Sequence, residues 1–318
     1  MSHFTVVVIG DDIDSQLEPF AEQDFDAKYG VFEDKEDEYR KQYDEEDIEI
    51  VVLADGSLHS QYEEIFRDTA TFGGNYTYPS DSITRKGKFS ELYSTFEEFM
   101  EEWHGMEERD EIHNRYGYSH NPQAKWDWFS IGGRWTGYFK PKAGVEGELG
   151  RSGAFGNKPK DGWVDSLRVC DIDFEGMKAD AVKEANETYD KLEEILKGRP
   201  LPSWNAIREK NNGDIDAARN EYHNLKTYQD LCKAEFHIMG DYVETFGRSR
   251  EEYVDKRKNA VAVPYAVLKD GNWYQKGEMG WFGLSNDEMT QDQWNKEFWA
   301  MMNSLDPETV VTLVDCHI

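Results

Sequence analysis

The chain has 318 residues, of which 38% are hydrophobic and 14% aromatic, and its formal net charge is -29. This aromatic content excludes a disordered acidic chain, and the charge argues against direct binding to nucleic acid or to anionic membranes, which both require a basic surface. Three cysteines without CxxC spacing, no signal peptide and no apolar run of ~20 residues together predict a cytoplasmic protein without disulfides or a membrane span.

The two ends of the sequence both predict β-strands. A β-branched run from His3 to Gly10 indicates a buried strand that stops at Asp11-Asp12, and a similar apolar run covers residues 309–317. Another strand is predicted over residues 48–53, before Asp55-Gly56. We expect the first and last strands to belong to one mixed or antiparallel sheet.

Two β-hairpins are predicted from short turn sequences. Residues 126–131 and 134–139 flank Gly132-Gly133, a pair that tolerates positive φ at both positions. The second hairpin turns at Asp270-Gly271, with a Val-rich strand before it and an aromatic strand after it. Both hairpins are expected to belong to the same β-rich body as the terminal strands.

The segment between the hairpins has a helical pattern. From residue 215 to residue 246, positions in steps of three and four are apolar except at Gln229, which is the period of a coiled coil. A shorter stripe covers residues 177–195. These patterns predict a helical, coiled-coil-like hairpin whose second stripe packs on its own partner helix or forms a homo-oligomer contact.

The predicted fold class is therefore α+β. An α+β body is expected from residues 1–173 and 259–318, and residues 174–258 are expected to form a helical insertion. The sheet of the body contains the N- and C-terminal strands and the two hairpins.

The C-terminal sequence Asp315-Cys316-His317 is the first candidate for chemistry. Side chains alternate along a strand, so Asp315 and His317 share one face, and Cys316 lies on the other. If the first strand pairs with the last, His3 joins them, and this set can ligate a divalent metal or transfer protons. The alternative is that Asp315 caps a turn and His317 is solvated. Cys316 is a poor nucleophile for His317, because neighbours in a strand point apart.

Aromatic residues next to a cation form a second candidate, for ligand binding. Trp126 and Trp128 are expected on one face of the first hairpin, where they can stack on a base or sugar while Arg134 reaches a phosphate. Trp281 offers a similar platform. Such a face is as often the core of a twisted sheet.

Two carboxylate pairs have the spacing of a Mg²⁺ site but are better explained as helix caps. Asp171 and Asp173, like Asp214 and Asp216, come immediately before predicted helices, where a carboxylate accepts hydrogen bonds from the first turn. The sequence contains no Walker A loop, GxGxxG, HExxH or GxSxG motif. No cofactor is therefore identified, and no metal ligands are assigned.

Several blocks resemble an uncharacterised family of tailed-bacteriophage proteins. They are SHFTVVVIG (2–10), NPQAKWDWFSIGGRWTGYF (121–139), DIDFEGM (171–177), GNWYQKGEMGWFG (271–283) and VVTLVDCHI (310–318). The resemblance implies a phage protein acting in the host bacterial cytoplasm. It implies no activity, because none is established for that family.

Two functions remain open. The first is an acidic, oligomeric accessory protein that binds a host or anti-phage defence protein and masks its basic or nucleic-acid-binding surface. The second is an enzyme that acts on a nucleotide or another small phosphorylated ligand, with His3, Asp315 and His317 as catalytic groups. A structural role in the virion is disfavoured, because the terminal motifs do not resemble a capsid or tail protein.

Overall fold

A computed structural model describes residues 2–67, 75–153, 158–238, 240–279 and 285–318. The predicted α+β fold is confirmed. The chain forms two compact units: the first contains residues up to 21 and from 124 onward, and the second contains residues 22–123. None of the helices in the described ranges is long and apolar enough to cross a lipid bilayer.

Strands and helices are numbered in chain order. The strands are β1 (His3–Ile9), β2 (Val31–Asp34), β3 (Asp47–Val52), β4 (Leu58–Ser60), β5 (Ile83–Lys88), β6 (Gly117–His120), β7 (Trp128–Gly133), β8 (Arg151–Ser152), β9 (Ser166–Arg168), β10 (Ala266–Lys269), β11 (Asn272–Gln275), β12 (Gly277–Met279), β13 (Ser285–Asp287) and β14 (Val310–His317). The α-helices are α1 (Ile13–Leu17), α2 (Glu36–Glu45), α3 (Phe89–Leu92), α4 (Phe96–Glu102), α5 (Phe174–Leu196), α6 (Trp204–Lys210), α7 (Ile215–Asn224), α8 (Lys226–Lys233), α9 (Tyr242–Phe246), α10 (Arg250–Asn259) and α11 (Gln291–Asn303).

The first unit is built on a seven-stranded mixed sheet in the order β11-β10-β1-β14-β7-β8, with β9 also paired to β14. β1 is antiparallel to β14 and parallel to β10, so the terminal strands lie side by side as predicted. Both faces are covered: Val7 packs with Phe298 of α11 in one core, and Val6 packs with Phe20 in the other. This double burial explains the unbroken apolar runs of β1 and β14.

One predicted hairpin is confirmed and the other is wrong. β10 and β11 pair antiparallel across Asp270-Gly271, whose φ values of 51° and 73° suit a tight two-residue turn. Gly132-Gly133 also has positive φ at both residues but ends β7, which pairs with β14 and β8. Residues 134–139 form no strand; their backbone turns to meet two buried carboxylates described below.

The helical region 174–258 begins with α5 and ends within α10, and both lie in the first unit. The apolar stripe over residues 215–246 does not lie on one helix, because extended backbone at Leu225 separates α7 from α8, and α8 ends before residue 234. Ala218 and Tyr222 are buried in a small core of the first unit, so these stripe positions are not available to a second copy. Ile215, which is 43% exposed, remains available for contact with a second copy.

The second unit contains two small antiparallel sheets, β4-β3-β5 and β2-β6. Ile48 and Ile50 of β3 pack with Phe96 and Phe99 of α4 in its core. The strand predicted over residues 48–53 is confirmed as β3, although it does not belong to the sheet that contains the chain termini.

Candidate functional site

The pairing of β1 with β14 brings the predicted catalytic residues together. His3 is the direct partner of His317, and Thr5 is the partner of Asp315. All three predicted side chains therefore lie on one face at the end of the sheet, as strand alternation requires. Cys316 is fully buried on the opposite face, where burial raises the pKa of its thiol well above the usual range. It is therefore unable to act as a nucleophile in this cluster.

His3 is oriented by a buried carboxylate. Its Nδ1 lies 2.8 Å from Oδ1 of Asp315, whose exposure is only 1%. Oδ2 of Asp315 accepts a hydrogen bond of 2.8 Å from the backbone N–H of Arg134. Because a carboxylate only accepts hydrogen bonds, His3 carries its proton on Nδ1, and the lone pair of the neutral ring is on Nε2.

His317 has a carboxylate partner of its own. Its Nδ1 lies 2.6 Å from Oδ1 of Asp127, in the segment that leads into β7. Asp127 was missed by the sequence reasoning; the available signal was its position between Trp126 and Trp128, in a strand-like segment that pairs with the end of the chain. The site thus contains two separate His–Asp pairs.

The two imidazole rings are in contact with each other and with Trp128. The His3 and His317 centroids lie 4.8 Å apart at an interplanar angle of 74°. Trp128 stacks on His317 with centroids 5.1 Å apart and also makes an edge contact with His3. Trp128 is 45% exposed, so an indole at the surface lies against the two largely buried imidazoles.

The Nε2 atoms of the two imidazoles have no hydrogen-bond partner in the described part of the protein. Neither atom accepts or donates a hydrogen bond there. Neither is among the polar atoms that are both fully buried and without a hydrogen-bond partner. Both nitrogen atoms are unpaired, although only 9% of the His3 side chain and 7% of the His317 side chain are exposed. Such a pair can accept a proton at one ring and donate a proton from the other.

A second buried carboxylate organises the turn that reaches the site. Asp165 is fully buried and accepts hydrogen bonds from Oγ1 of Thr136 and from the backbone N–H groups of Gly137, Tyr138 and Gly150, at 2.7–3.1 Å. These bonds fix the chain just after Arg134, whose own N–H contacts Asp315. Sequence reasoning missed Asp165, because its four donors come from two distant segments.

The turn also depends on small residues. Gly133 has a φ of +53°, and a Cβ at this position would overlap the Asp315 carboxylate. The Gly132-Gly133 pair that resembled a hairpin turn thus allows the backbone to approach a buried acid closely.

The predicted ligand-binding residues are not all in one place. Trp126 and Trp128 do not share a face: Trp126 packs on Phe129 in the opposite core, and its Nε1 donates to the carbonyl of Leu17. Arg134 is half-buried, and its guanidinium has no carboxylate within 4.0 Å among the described residues. Trp281 lies outside the described residues.

No group of three His, Cys, Asp or Glu side chains within the described ranges could hold a metal ion. The His–Asp pairs each direct Nδ1 to a carboxylate, an arrangement that occurs in proton-transfer sites and also in sites where Nε2 ligates a metal. A cavity of about 650 Å³ lies elsewhere, beyond the end of β1, and is lined by Asp11, Glu146 and Glu148 among others. The imidazoles do not line it.

Comparisons of this chain with protein-family models, with curated proteins and with solved structures found no match.

Proposed function

We propose that this protein is a phage accessory enzyme that acts in the host bacterial cytoplasm and transfers protons with His3 and His317. The observation that carries the proposal is the pair of unpartnered Nε2 atoms, each on a ring whose Nδ1 faces a carboxylate. A carboxylate in this position fixes the tautomer and stabilises the imidazolium formed during proton transfer.

In the proposed reaction, one imidazole accepts a proton at Nε2 from water or from a hydroxyl group of the ligand. The oxygen that loses this proton forms a bond to phosphorus, and the bond from phosphorus to the leaving oxygen breaks. The other imidazole, initially protonated, donates its Nε2 proton to the leaving oxygen, so that the two rings exchange protonation states. Asp315 and Asp127 each accept a hydrogen bond from Nδ1 of their own ring and stabilise that ring when it is charged.

The ligand class is inferred from Trp128, which contacts both imidazoles, and from Arg134, whose backbone N–H contacts Asp315. The exposed indole of Trp128 can stack on a planar ring, and Arg134 supplies a cation that no described carboxylate neutralises. A planar ring with an anionic substituent suits both, and the proposed substrate is therefore a nucleotide or a similar small phosphorylated molecule.

The test is turnover of a panel of nucleotides and cyclic nucleotides, followed by ³¹P NMR. His3→Asn and His317→Asn should each lower the rate at least about 100-fold, and the wild-type rate should have a bell-shaped pH profile. His237→Asn is the matched control, because His237 is exposed in the helical region and makes no contact with the site. Turnover that survives both site variants would refute the proposal.

A second function, binding of a basic protein surface, is favoured by the charge distribution. The second unit holds 27 of the 65 acidic and 10 of the 36 basic residues, a net charge of -17, whereas the first unit carries -12. About a third of the chain thus has most of the charge. A host or defence protein with a basic or nucleic-acid-binding surface is the partner that this charge would attract and mask.

Polylysine and polyglutamate of equal length test this second function. The full-length protein should bind polylysine with an affinity that falls steeply with salt, and should not bind polyglutamate. Equal binding to both polymers, or to neither, would contradict it.

A further inference from the structure

Three apolar side chains of the second unit are exposed around a short 3₁₀ turn, Glu64–Phe66. Tyr62 is 54% exposed, Ile65 65% and Tyr76 38%. The rings of Tyr62 and Tyr76 are in edge contact, with centroids 5.8 Å apart. An antiparallel bridge between residues 67 and 76 joins the segment of Ile65 to that of Tyr76. We call Tyr62, Ile65 and Tyr76 the tyrosine patch.

Carboxylates lie around the tyrosine patch. Tyr62 also contacts the ring of Trp103, which follows the acidic last turn of α4. Burial, together with the nearby carboxylates of Glu63, Glu102 and Glu98, raises the pKa of Tyr93 to about 12. Glu98 and Glu102 belong to α4 and Glu63 precedes the 3₁₀ turn, so two segments bring carboxylates towards a common point.

Most of these carboxylates have no cation of their own. Within the described residues, no Lys, Arg or His nitrogen lies within 4.0 Å of Glu49, Glu64, Glu98, Glu101 or Glu102. In the same unit, by contrast, Glu36 has ion pairs with Arg40 and Arg115. The patch thus combines exposed apolar groups with an acidic rim, and Arg67, which pairs with Tyr76, is an exposed cation next to it.

We propose that the tyrosine patch is a docking surface for a basic amphipathic helix of another protein, with apolar side chains on the patch and Lys or Arg on the acidic rim. Tyrosine is a frequent anchor in interfaces because it buries a large area and loses little side-chain entropy. The occupant is inferred from charge complementarity, since the unit that carries the patch has a net charge of -17. The inference rests on the second function proposed above.

The experiment uses full-length protein and two labelled synthetic peptides in fluorescence anisotropy. One peptide is an amphipathic helix of Leu and Lys, and the other has the same lysines with Gln at every Leu position. The Leu/Lys peptide should bind about tenfold more tightly, because only it can bury apolar surface on the patch.

Paired variants locate the binding site. Tyr62→Ser/Ile65→Ser should remove this tenfold difference between the peptides. Val31→Thr/Ile112→Ser is the matched control, since both residues are exposed in the same unit, at 50% and 85%. It should leave both affinities unchanged, and circular dichroism of all variants should match the wild type, because only exposed side chains are replaced.

The outcomes separate the patch from the general charge effect. If the two peptides bind equally, or if the patch variant binds like the wild type, the tyrosine patch is not the docking surface. The second function, binding driven by charge, would still hold. If neither peptide binds, both the patch and the second function are refuted. Loss of affinity in the control variant to the same extent as in the patch variant would also refute the patch.

Discussion

Gly133 is the residue at which backbone geometry and the candidate site are most directly linked. Its φ is +53°, and a Cβ would overlap the carboxylate that holds His3. We expect Gly133→Ala to lower the free energy of unfolding by about 2–4 kcal/mol, because backbone strain and the displacement of a buried carboxylate add. Urea denaturation followed by tryptophan fluorescence measures this loss.

Gly144 provides the control for this prediction. It also has positive φ, at +79°, but a Cβ there would have no neighbour within 4 Å. Gly144→Ala should cost only the conformational penalty of about 1 kcal/mol. Equal losses in the two variants would show that the approach to Asp315 does not matter.

Asp165 is expected to act as a positioning residue for the turn that carries Arg134. Asp165→Asn would place an amide donor among four donors, so at least one buried N–H loses its acceptor. We expect a loss of about 2–4 kcal/mol in urea denaturation and a changed ¹⁵N shift of the His3 ring, since Arg134 contacts Asp315.

A milder variant tests that positioning role. Thr136→Val removes one donor and leaves Asp165 charged, so it should cost about 1 kcal/mol and leave the His3 ring shifts unchanged. Unaltered His3 shifts in Asp165→Asn as well would mean that Asp165 supports the fold but not the site.

Strand alternation was sufficient to predict that Asp315 and His317 share a face. The predicted pairing of the last strand with the first correctly added His3 to this face. Asp127 and Asp165 were missed because their partners are remote in sequence, and no local pattern marks such a contact. The shared face of Trp126 and Trp128 was wrong, because β7 begins only at Trp128 and alternation does not apply before it.

At the scale of elements, one carboxylate of each pair with Mg²⁺-site spacing caps a helix. Asp173 accepts a hydrogen bond of 2.9 Å from the N–H of Gly176 at the start of α5, and Asp214 accepts from two N–H groups of α7. Asp173→Ala should lower stability by about 1 kcal/mol in thermal denaturation. Millimolar Mg²⁺ should leave the wild-type Tm unchanged; a clear rise would favour a metal site instead.

The packing of α4 near α2 gives the second unit a pH dependence. His104 follows α4, and its Nε2 lies 2.9 Å from Oε1 of Gln42 in α2. Burial lowers the pKa of His104 below 6.5, so the unfolded chain binds a proton before the folded one does. The resulting stability is present above pH 6.5 and is lost as pH falls through the lowered pKa.

His104→Gln should therefore reduce the loss of stability of the second unit as the pH falls below about 6.5, measured by hydrogen exchange of β3. His237→Gln, on the exposed surface of the first unit, should leave that loss unchanged. If both variants keep the wild-type pH dependence, His104 is not its source.

The turn residues correctly predicted the β10–β11 hairpin, but the apolar stripe over residues 215–246 wrongly indicated a single helix. Asp270-Gly271 fixes its turn locally, so the sequence signal is sufficient. The stripe matched a coiled coil at nine of its ten positions, but Leu225 adopts a ψ of 124°, which no helix contains. The segments instead pack into separate small cores. Periodicity alone cannot distinguish one long helix from several short ones.

At the scale of the whole molecule, composition predicted an acidic folded protein, but not where its charge lies. The net charge of -17 on residues 22–123 became meaningful only once these residues proved to be a compact unit. Sequence patterns had placed the domain boundaries at 174 and 258, where the helical region begins and ends, because periodicity changes there. A boundary between two α+β segments changes no periodicity and leaves no such signal.

The uneven charge predicts an uneven response to salt. In the second unit, 27 acidic residues face only 10 basic ones, so at least 17 carboxylates have no cation to neutralise them and repel one another. Raising the salt concentration from about 20 mM to about 500 mM shortens the Debye length from roughly 20 Å to under 5 Å and screens this repulsion. Salt also weakens the ion pairs of this unit, but the repulsive contacts between carboxylates outnumber them.

Hydrogen exchange followed by mass spectrometry measures both units in one experiment. Amides of β3 should gain protection with salt, whereas those of β1 and β14, in the unit with -12 on twice as many residues, should gain less. Glu64→Gln/Glu102→Gln, which removes two uncompensated charges, should reduce the salt-dependent gain at β3. If salt protects the two units equally, self-repulsion does not limit the stability of the second unit, and its excess charge is better explained by the partner that it binds.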